Sequence, residues 1–143
     1  GGERVLDLGC GSGILSIAAL TLGAASAAAV DIDDKCLTVA YENAALNGIG
    51  RDRYTVLVGD AVSDRALKAQ LGSGYDIVVA NIVADVIIGL APSVRQFLKP
   101  GGLFLCSGII DTRADEVADA LRHAGWTIED TRSGEGWYSY TCR

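Results

Sequence analysis

Val5-Leu6-Asp7-Leu8-Gly9-Cys10-Gly11-Ser12-Gly13, followed by Ile14-Leu15-Ser16-Ile17-Ala18-Ala19, is the stretch on which the reading of this chain turns. A short apolar run ends in an acid, glycine then takes every second position, and a helix-compatible segment follows, so the stretch reads as a buried strand turning sharply into a helix. Glycine serves where the backbone needs positive φ or where a ligand must approach the main chain, and the new helix points unpaired N–H groups at whatever sits there. A dinucleotide fingerprint is G-x-G-x-x-G. Here the third glycine comes one position early and Ile14 stands where that pattern needs glycine, which argues against NAD or FAD. A glycine-rich turn with no ligand is the competing reading, since such a loop alone is a weak signal.

Outward from this loop, strand-like apolar runs alternate with helical patterns to the end of the chain, which predicts a parallel sheet with helices on both faces. Strands are expected at Arg4–Leu8, Ala27–Ile32, Tyr54–Val58, Tyr75–Asn81, Leu103–Ser107, Trp126–Arg132 and Trp137–Cys142. The helices between them run from Ser12, as N-cap, to Leu22 with Gly23 as stop; from an Asp33 or Asp34 cap to about Asn47; and over Val62–Leu71. Ala84–Leu98 reads as mostly helical with a kink before Pro92, Lys99-Pro100-Gly101-Gly102 as a turn, and Asp111–Ala124 as a helix closed by Gly125. Ser133-Gly134-Glu135-Gly136 is too short for a crossover, so the last two strands form an antiparallel hairpin.

With 143 residues, half of them hydrophobic, the chain is the size of one domain with a real core. Apolar runs stay well short of a membrane span, and Gly1-Gly2-Glu3-Arg4 is not a basic-then-apolar leader. Four scattered cysteines, no C-x-x-C and a single histidine suggest neither zinc nor a redox pair, and fit free thiols in a cytoplasmic protein. A net charge of −6 and a pI near 4.6 give no electrostatic footprint for nucleic acid. Because the first strand starts so near Gly1, residues 1–143 are expected to be a fragment of a longer protein.

In open α/β sheets the ligand lies beyond the carboxyl ends of the strands, at the switch point of strand order. Four polar residues end four of the predicted strands: Asp7, Asp31, Asp60 and Asn81. Asp31 lies about 20 residues beyond the loop, where a carboxylate accepts hydrogen bonds from both ribose hydroxyls; a helix cap is its alternative role, but Asp33 and Asp34 already fill that. Asp60 could likewise cap a helix starting near Val62. His123 sits near a helix end away from these positions, Trp126 and Trp137 are expected to pack the hairpin against a helix, and Cys10 is not expected to be a nucleophile.

Asp-x-Gly-x-Gly-x-Gly after a first strand resembles motif I of the class I S-adenosylmethionine-dependent methyltransferases. That resemblance implies a Rossmann-like, doubly wound seven-stranded sheet of order 3-2-1-4-5-7-6, mostly parallel, with strand seven antiparallel. It further implies a cofactor site, for S-adenosylmethionine and its product S-adenosylhomocysteine, made of Asp7, Gly9, Cys10, Gly11, Gly13 and Asp31 with Ile32. Asp60 meets the adenine amino group in this scheme, with Ala61 beside the ring, and Asn81 adjoins the transferring methyl. Asp7 organises the loop and the ligand's ammonium.

Asn81-Ile82-Val83-Ala84 keeps the asparagine of amino-methylating enzymes but lacks their two prolines and aromatic, which disfavours a stacked base as substrate. Together with Glu42-Asn43-Ala44-Ala45-Leu46-Asn47-Gly48, Leu98-Lys99-Pro100-Gly101-Gly102 and Ser107-Gly108-Ile109-Ile110, this segment resembles the ribosomal protein L-eleven methyltransferase (PrmA-like) family. The implied activity is N-methylation of lysine and N-terminal amines of a large-subunit ribosomal protein, with Asn81 and Ile82 as the catalytic pair. Neither nucleic acid nor membrane is an expected partner of this domain. The family's separate N-terminal recognition domain and its Phe-Gly-Thr-Gly segment have no counterpart in these residues. A small-molecule or other protein substrate, and a catalytically silent cofactor-binding module, are the alternative functions.

Overall fold

Seven strands join in one sheet ordered β3-β2-β1-β4-β5-β7-β6, in the computed structural model, which describes all residues from Gly1 to Arg143. They are β1 (Arg4–Leu8), β2 (Ser26–Asp31), β3 (Tyr54–Val58), β4 (Tyr75–Asn81), β5 (Leu98–Ile110), β6 (Ile128–Gly134) and β7 (Trp137–Cys142). The first five strands pair in parallel, and β7 runs antiparallel to both β5 and β6, which is the doubly wound order expected. Strand order reverses between β2 and β4 on either side of β1, so the carboxyl ends of these three strands frame the switch-point crevice.

Alternation along β1 and β4 divides the core in two. Leu6, Leu8, Val78, Ala80, Phe104 and Cys106 face α3 (Arg65–Leu71), α4 (Ala84–Leu90) and α5 (Ala114–His123). Val5, Ala27, Ala29 and Val56 face α1 (Ile14–Thr21) and α2 (Lys35–Leu46). On this second face no helix lies over β5 and β7, and Ile77, Val79, Leu103 and Leu105 stay half-buried there.

Several boundaries differ from the sequence reading, each for a local reason. The N-cap of α1 is Gly13 rather than Ser12, because the loop makes a left-handed step at φ 86° there and Ile17 N–H donates to the Gly13 carbonyl at 2.9 Å. After β3 the chain first makes a turn on Asp60, and α3 starts only where Asp64 Oδ1 accepts Leu67 N–H at 3.0 Å. Pro92 cannot donate to a helix, so α4 stops at Leu90 and a 3-10 turn over Val94–Phe97 leads into β5. The expected turn at Lys99–Gly102 is a wide bulge inside β5: Tyr75 pairs with Leu98, and Ile77 already pairs with Leu103. A 3-10 turn, Asp111–Arg113, precedes α5.

Trp126 lies before β6 rather than in it; its indole is buried, lies tilted against Phe104 with ring centroids 5.2 Å apart and donates to the Ala91 carbonyl at 2.9 Å. Trp137 does not pack against a helix. It is 54% exposed, on the strand face of Thr141, the partner of Leu105, where the helix layer is missing.

Candidate functional site

Hydrogen bonds to β2 fix the glycine loop. Gly9 N–H and Cys10 N–H both donate to the Val30 carbonyl, at 2.8 and 3.1 Å, and Gly11 N–H donates to Asp31 Oδ2 at 2.9 Å. All three loop glycines have positive φ, yet their surroundings differ. A Cβ on Gly9 would collide with Ile82 Cγ2, and one on Gly13 would meet Tyr54 Oη at 2.9 Å and the Ala40 Cβ at 3.2 Å. Those two glycines let the protein pack on itself. Gly11 has nothing within 4 Å and is the glycine open to an incoming group.

Asp7 lies beneath the loop, 1% exposed, and does not reach the cavity described below. Its Oδ2 accepts the Ser16 hydroxyl at 2.7 Å, while Oδ1 and the nearby Tyr54 Oη are buried without partners. Burial pushes the Asp7 carboxyl up to about 6, against the opposing effect of the Ser16 hydrogen bond. The same burial, helped by the negative charges of Asp7 and Asp31, pushes the Cys10 thiol up to about 12 and keeps it an inert thiol. Ser16 and Tyr54 were not anticipated from sequence. The available signal was one hydroxyl among apolar residues on a buried helix face.

Above β1, β2 and β4 a crevice of about 200 Å³ opens to solvent. Gly9, Asp31, Ile32, Asp60, Ala61 and Ile82, all anticipated, line it. So do Leu8, Val30, Gly59, Val62, Val86 and Leu90, which sequence reading did not single out because they look like ordinary core or helix positions. The two carboxylates supply the polar groups in an otherwise apolar slot.

Asp31 is already engaged: Oδ2 holds Gly11 N–H, and Oδ1 accepts Asp33 N–H at 3.0 Å. A carboxylate has about four acceptor sites, so two remain for hydroxyls. Asp60 Oδ1 accepts Val62 N–H at 2.8 Å, closing a tight turn and leaving Oδ2 for a ligand donor. A purine nucleoside fits these residues: apolar walls and two acids with acceptor positions to spare.

Asn81 lies beyond Ile82, outside the crevice, at the exposed end of β4 opposite Ser107 of β5. Its carboxamide takes part in no hydrogen bond with the protein, and its Oδ1 rests against Gly108. His123 is remote, exposed, and bonded through Nδ1 to the Asp119 carbonyl at 3.0 Å. No group of three metal-ligating side chains converges in the molecule, and no helix is long and apolar enough to cross a membrane.

Comparison with known proteins agrees with this geometry. A family model described as "Ribosomal protein L11 methyltransferase (PrmA)" matches residues 1–143. A ribosomal protein L11 methyltransferase of Agathobacter rectalis is 45% identical over 141 residues, covering 97% of this chain and 43% of that protein. The corresponding protein of Lachnoclostridium phytofermentans is 38% identical over 156 residues, covering 99% of this chain and 47% of its own length. The chain thus spans about half the length of these relatives. Among solved structures, a ribosomal protein L11 methylase from Lactobacillus delbrueckii subsp. bulgaricus superposes with a TM-score of 0.90 at 33% identity, over 100% of this chain and 70% of that one.

Proposed function

This chain belongs to the ribosomal protein L11 methyltransferase family, and we propose from that premise that it binds S-adenosylmethionine in the switch-point crevice and methylates amine nitrogens of ribosomal protein L11. The observation that carries the reading is the crevice itself, which sets Asp31 and Asp60 around one apolar slot and closes it with Ile82, the neighbour of Asn81. When bound, S-adenosylmethionine supplies a methyl group already activated by its sulfonium.

The chain's own residues then have to bind and orient. Asp31 accepts the ribose hydroxyls, Asp60 Oδ2 accepts the adenine amino group, and Ala61 with Ile32 packs on the adenosine. Asp7 acts from below, holding the start of α1 through Ser16 so that the glycine loop, with the open side of Gly11, keeps its place. Asn81 Oδ1 and the Ile82 carbonyl are the two acceptors for the N–H groups of a neutral amine, which leaves the amine lone pair free. Proximity and alignment are the main catalytic contributions. No general base is assigned, because the transferred-to nitrogen can give up its proton to water.

Residues 1–143 act in this reading as the methyl-transfer domain, and recognition of the ribosomal protein resides in the remaining half of the relatives' length. The partner is a cytoplasmic protein, and the chain's charge of −6 suits a lysine-bearing substrate rather than a nucleic-acid backbone. The test is transfer of labelled methyl from S-adenosylmethionine to purified ribosomal protein L11 by the intact protein that contains this chain. Label on L11 lysine or N-terminal amines is expected. Label on no amine of L11, with the cofactor bound, would overturn the substrate assignment.

A further inference from the structure

Asp7 stands directly behind the switch-point crevice without entering it. Leu8 and Gly9, the next two residues of the chain, line the slot, while strand alternation turns the Asp7 side chain to the other side of the sheet, beneath α1. The Ser16 hydroxyl donates to its Oδ2 at 2.7 Å, and its Oδ1 is buried with no partner. None of the groups that face this carboxyl is a cation. They are Ser16 on α1, Cys10 in the glycine loop, Asp31 at the end of β2 and Tyr54 on β3, with Cys36 and Tyr41 of α2 behind them; β4 offers Ile77 and Val79.

The crevice has the same character. Asp31 and Asp60 are its only charged lining residues, and no Lys, Arg or His lines it. A carboxyl shut away from water, with one hydroxyl bonded to it and a second acid nearby, favours its neutral form, and burial pushes this one up to about 6. A positive charge entering the crevice favours the ionised form instead, and it acts through the protein wall rather than across bulk water. S-adenosylmethionine and S-adenosylhomocysteine share the nucleoside and the amino acid and differ in one charge: the first carries a sulfonium, the second a neutral thioether.

We propose that Asp7 is a charge-sensing specificity residue: it gives up its proton when a sulfonium occupies the crevice and keeps it when a thioether does, so that the site distinguishes substrate from product. The inference rests on the methyltransferase reading and deepens it. The one bond broken is the carboxyl O–H, and the proton passes to the buffer. Asp7 touches neither ligand and acts through its field. Because a cation prefers the ionised carboxylate, affinity for S-adenosylmethionine rises as pH rises through about 6, while affinity for S-adenosylhomocysteine gains nothing from Asp7. Unit charges about 10 Å apart at an effective dielectric of about 20 give a preference on the order of tenfold. After transfer the positive charge is on the methylated amine, the attraction to Asp7 ends, and the product leaves more readily than the substrate.

The test is calorimetric titration of the intact protein with S-adenosylmethionine and, separately, with S-adenosylhomocysteine, in buffers of differing ionisation enthalpy between about pH 5 and 7.5. The dependence of the heat on the buffer counts the protons exchanged. S-adenosylmethionine is expected to release about half a proton near pH 5.5, and S-adenosylhomocysteine none. The ratio of the two affinities should shift toward S-adenosylmethionine on the order of tenfold across that range. In Asp7→Asn the proton release should vanish and the ratio should no longer depend on pH. A readout that needs no variant is the carbon-13 NMR resonance of Asp7 Cγ in the wild-type protein, whose titration midpoint should fall with S-adenosylmethionine and stay in place with S-adenosylhomocysteine. Equal proton release by both ligands, release that persists in Asp7→Asn, or an Asp7 midpoint that S-adenosylmethionine does not move would overturn the inference while leaving the cofactor assignment standing. Failure of both ligands to bind would overturn the cofactor assignment and this inference with it.

Discussion

Asp31→Ala removes two kinds of interaction at once, and the structure lets them be separated. In the protein alone the carboxylate holds Gly11 N–H at 2.9 Å and Asp33 N–H at 3.0 Å, so its loss frees the glycine loop and the entry to α2. Hydrogen bonds to charged groups contribute about 1.5–3 kcal/mol each, but Asp31 is only partly buried and water replaces much of what is lost. A net destabilisation of about 1–2 kcal/mol is expected, or roughly 3–6 °C in Tm for a domain of this size. Loss of the ribose contacts adds at least about 1.5 kcal/mol to binding, a tenfold weakening or more. Asp33→Ala is the control, since its carboxylate holds only Lys35 N–H, at 3.0 Å, and lines no part of the crevice. It should lower Tm by a comparable or smaller amount and leave affinity intact. Thermal melts paired with calorimetric titration of S-adenosylhomocysteine measure both quantities. If Asp31→Ala lowered Tm while affinity stayed at the wild-type value, Asp31 would be a loop clamp and the ribose assignment would fail.

Three further outcomes follow from the same geometry. Asp7, whose carboxyl burial lifts from 3.8 to about 6, holds its proton more tightly folded than unfolded, so its contribution to stability is complete below about pH 4 and is lost as pH rises through about 6. Asp7→Asn, which keeps an acceptor for Ser16, should lack this decline of up to about 3 kcal/mol and melt higher than wild type at pH 7; parallel wild-type and variant melts between pH 4 and 7 would refute it. Gly9→Ala should drive Ile82 into the crevice and abolish measurable cofactor binding, and Ile82→Ala in the same background should restore it; a double variant that still cannot bind would show backbone strain alone to be responsible. Asn81→Ala should keep cofactor affinity within a few fold and slow methylation about a hundredfold, with Asn81→Asp slower than wild type because the added charge favours the protonated, unreactive amine. Wild-type turnover in both would remove Asn81 from the mechanism.

The strand ends were the legible part of this molecule. Asp31, Asp60 and Ile82 could be placed from sequence because each is the residue at which an apolar run stops or the one after it, and a parallel sheet delivers such residues to one edge. The glycine loop was legible as a loop but not in its division of labour, since only packing distinguishes Gly11, which is open, from Gly9 and Gly13, which clear Ile82 and Tyr54. Asp7 read as a ligand contact, yet strand alternation turns it under α1 rather than into the crevice. The full length of β5 was hidden by Lys99-Pro100-Gly101-Gly102, whose composition signals a turn while the chain absorbs it as a bulge. Trp137 was misplaced because an aromatic in a strand implies a covered face, and coverage is a tertiary property that no local pattern carries.

The most direct test of the central claim, that the crevice between the glycine loop, Asp31, Asp60 and Ile82 holds S-adenosylmethionine, is calorimetric titration of the protein with S-adenosylhomocysteine and, separately, with NAD. The glycine spacing and the two acids predict one-to-one binding of S-adenosylhomocysteine, weakened at least tenfold in Asp31→Ala, and far weaker binding of NAD. Equal or tighter binding of NAD would contradict the account.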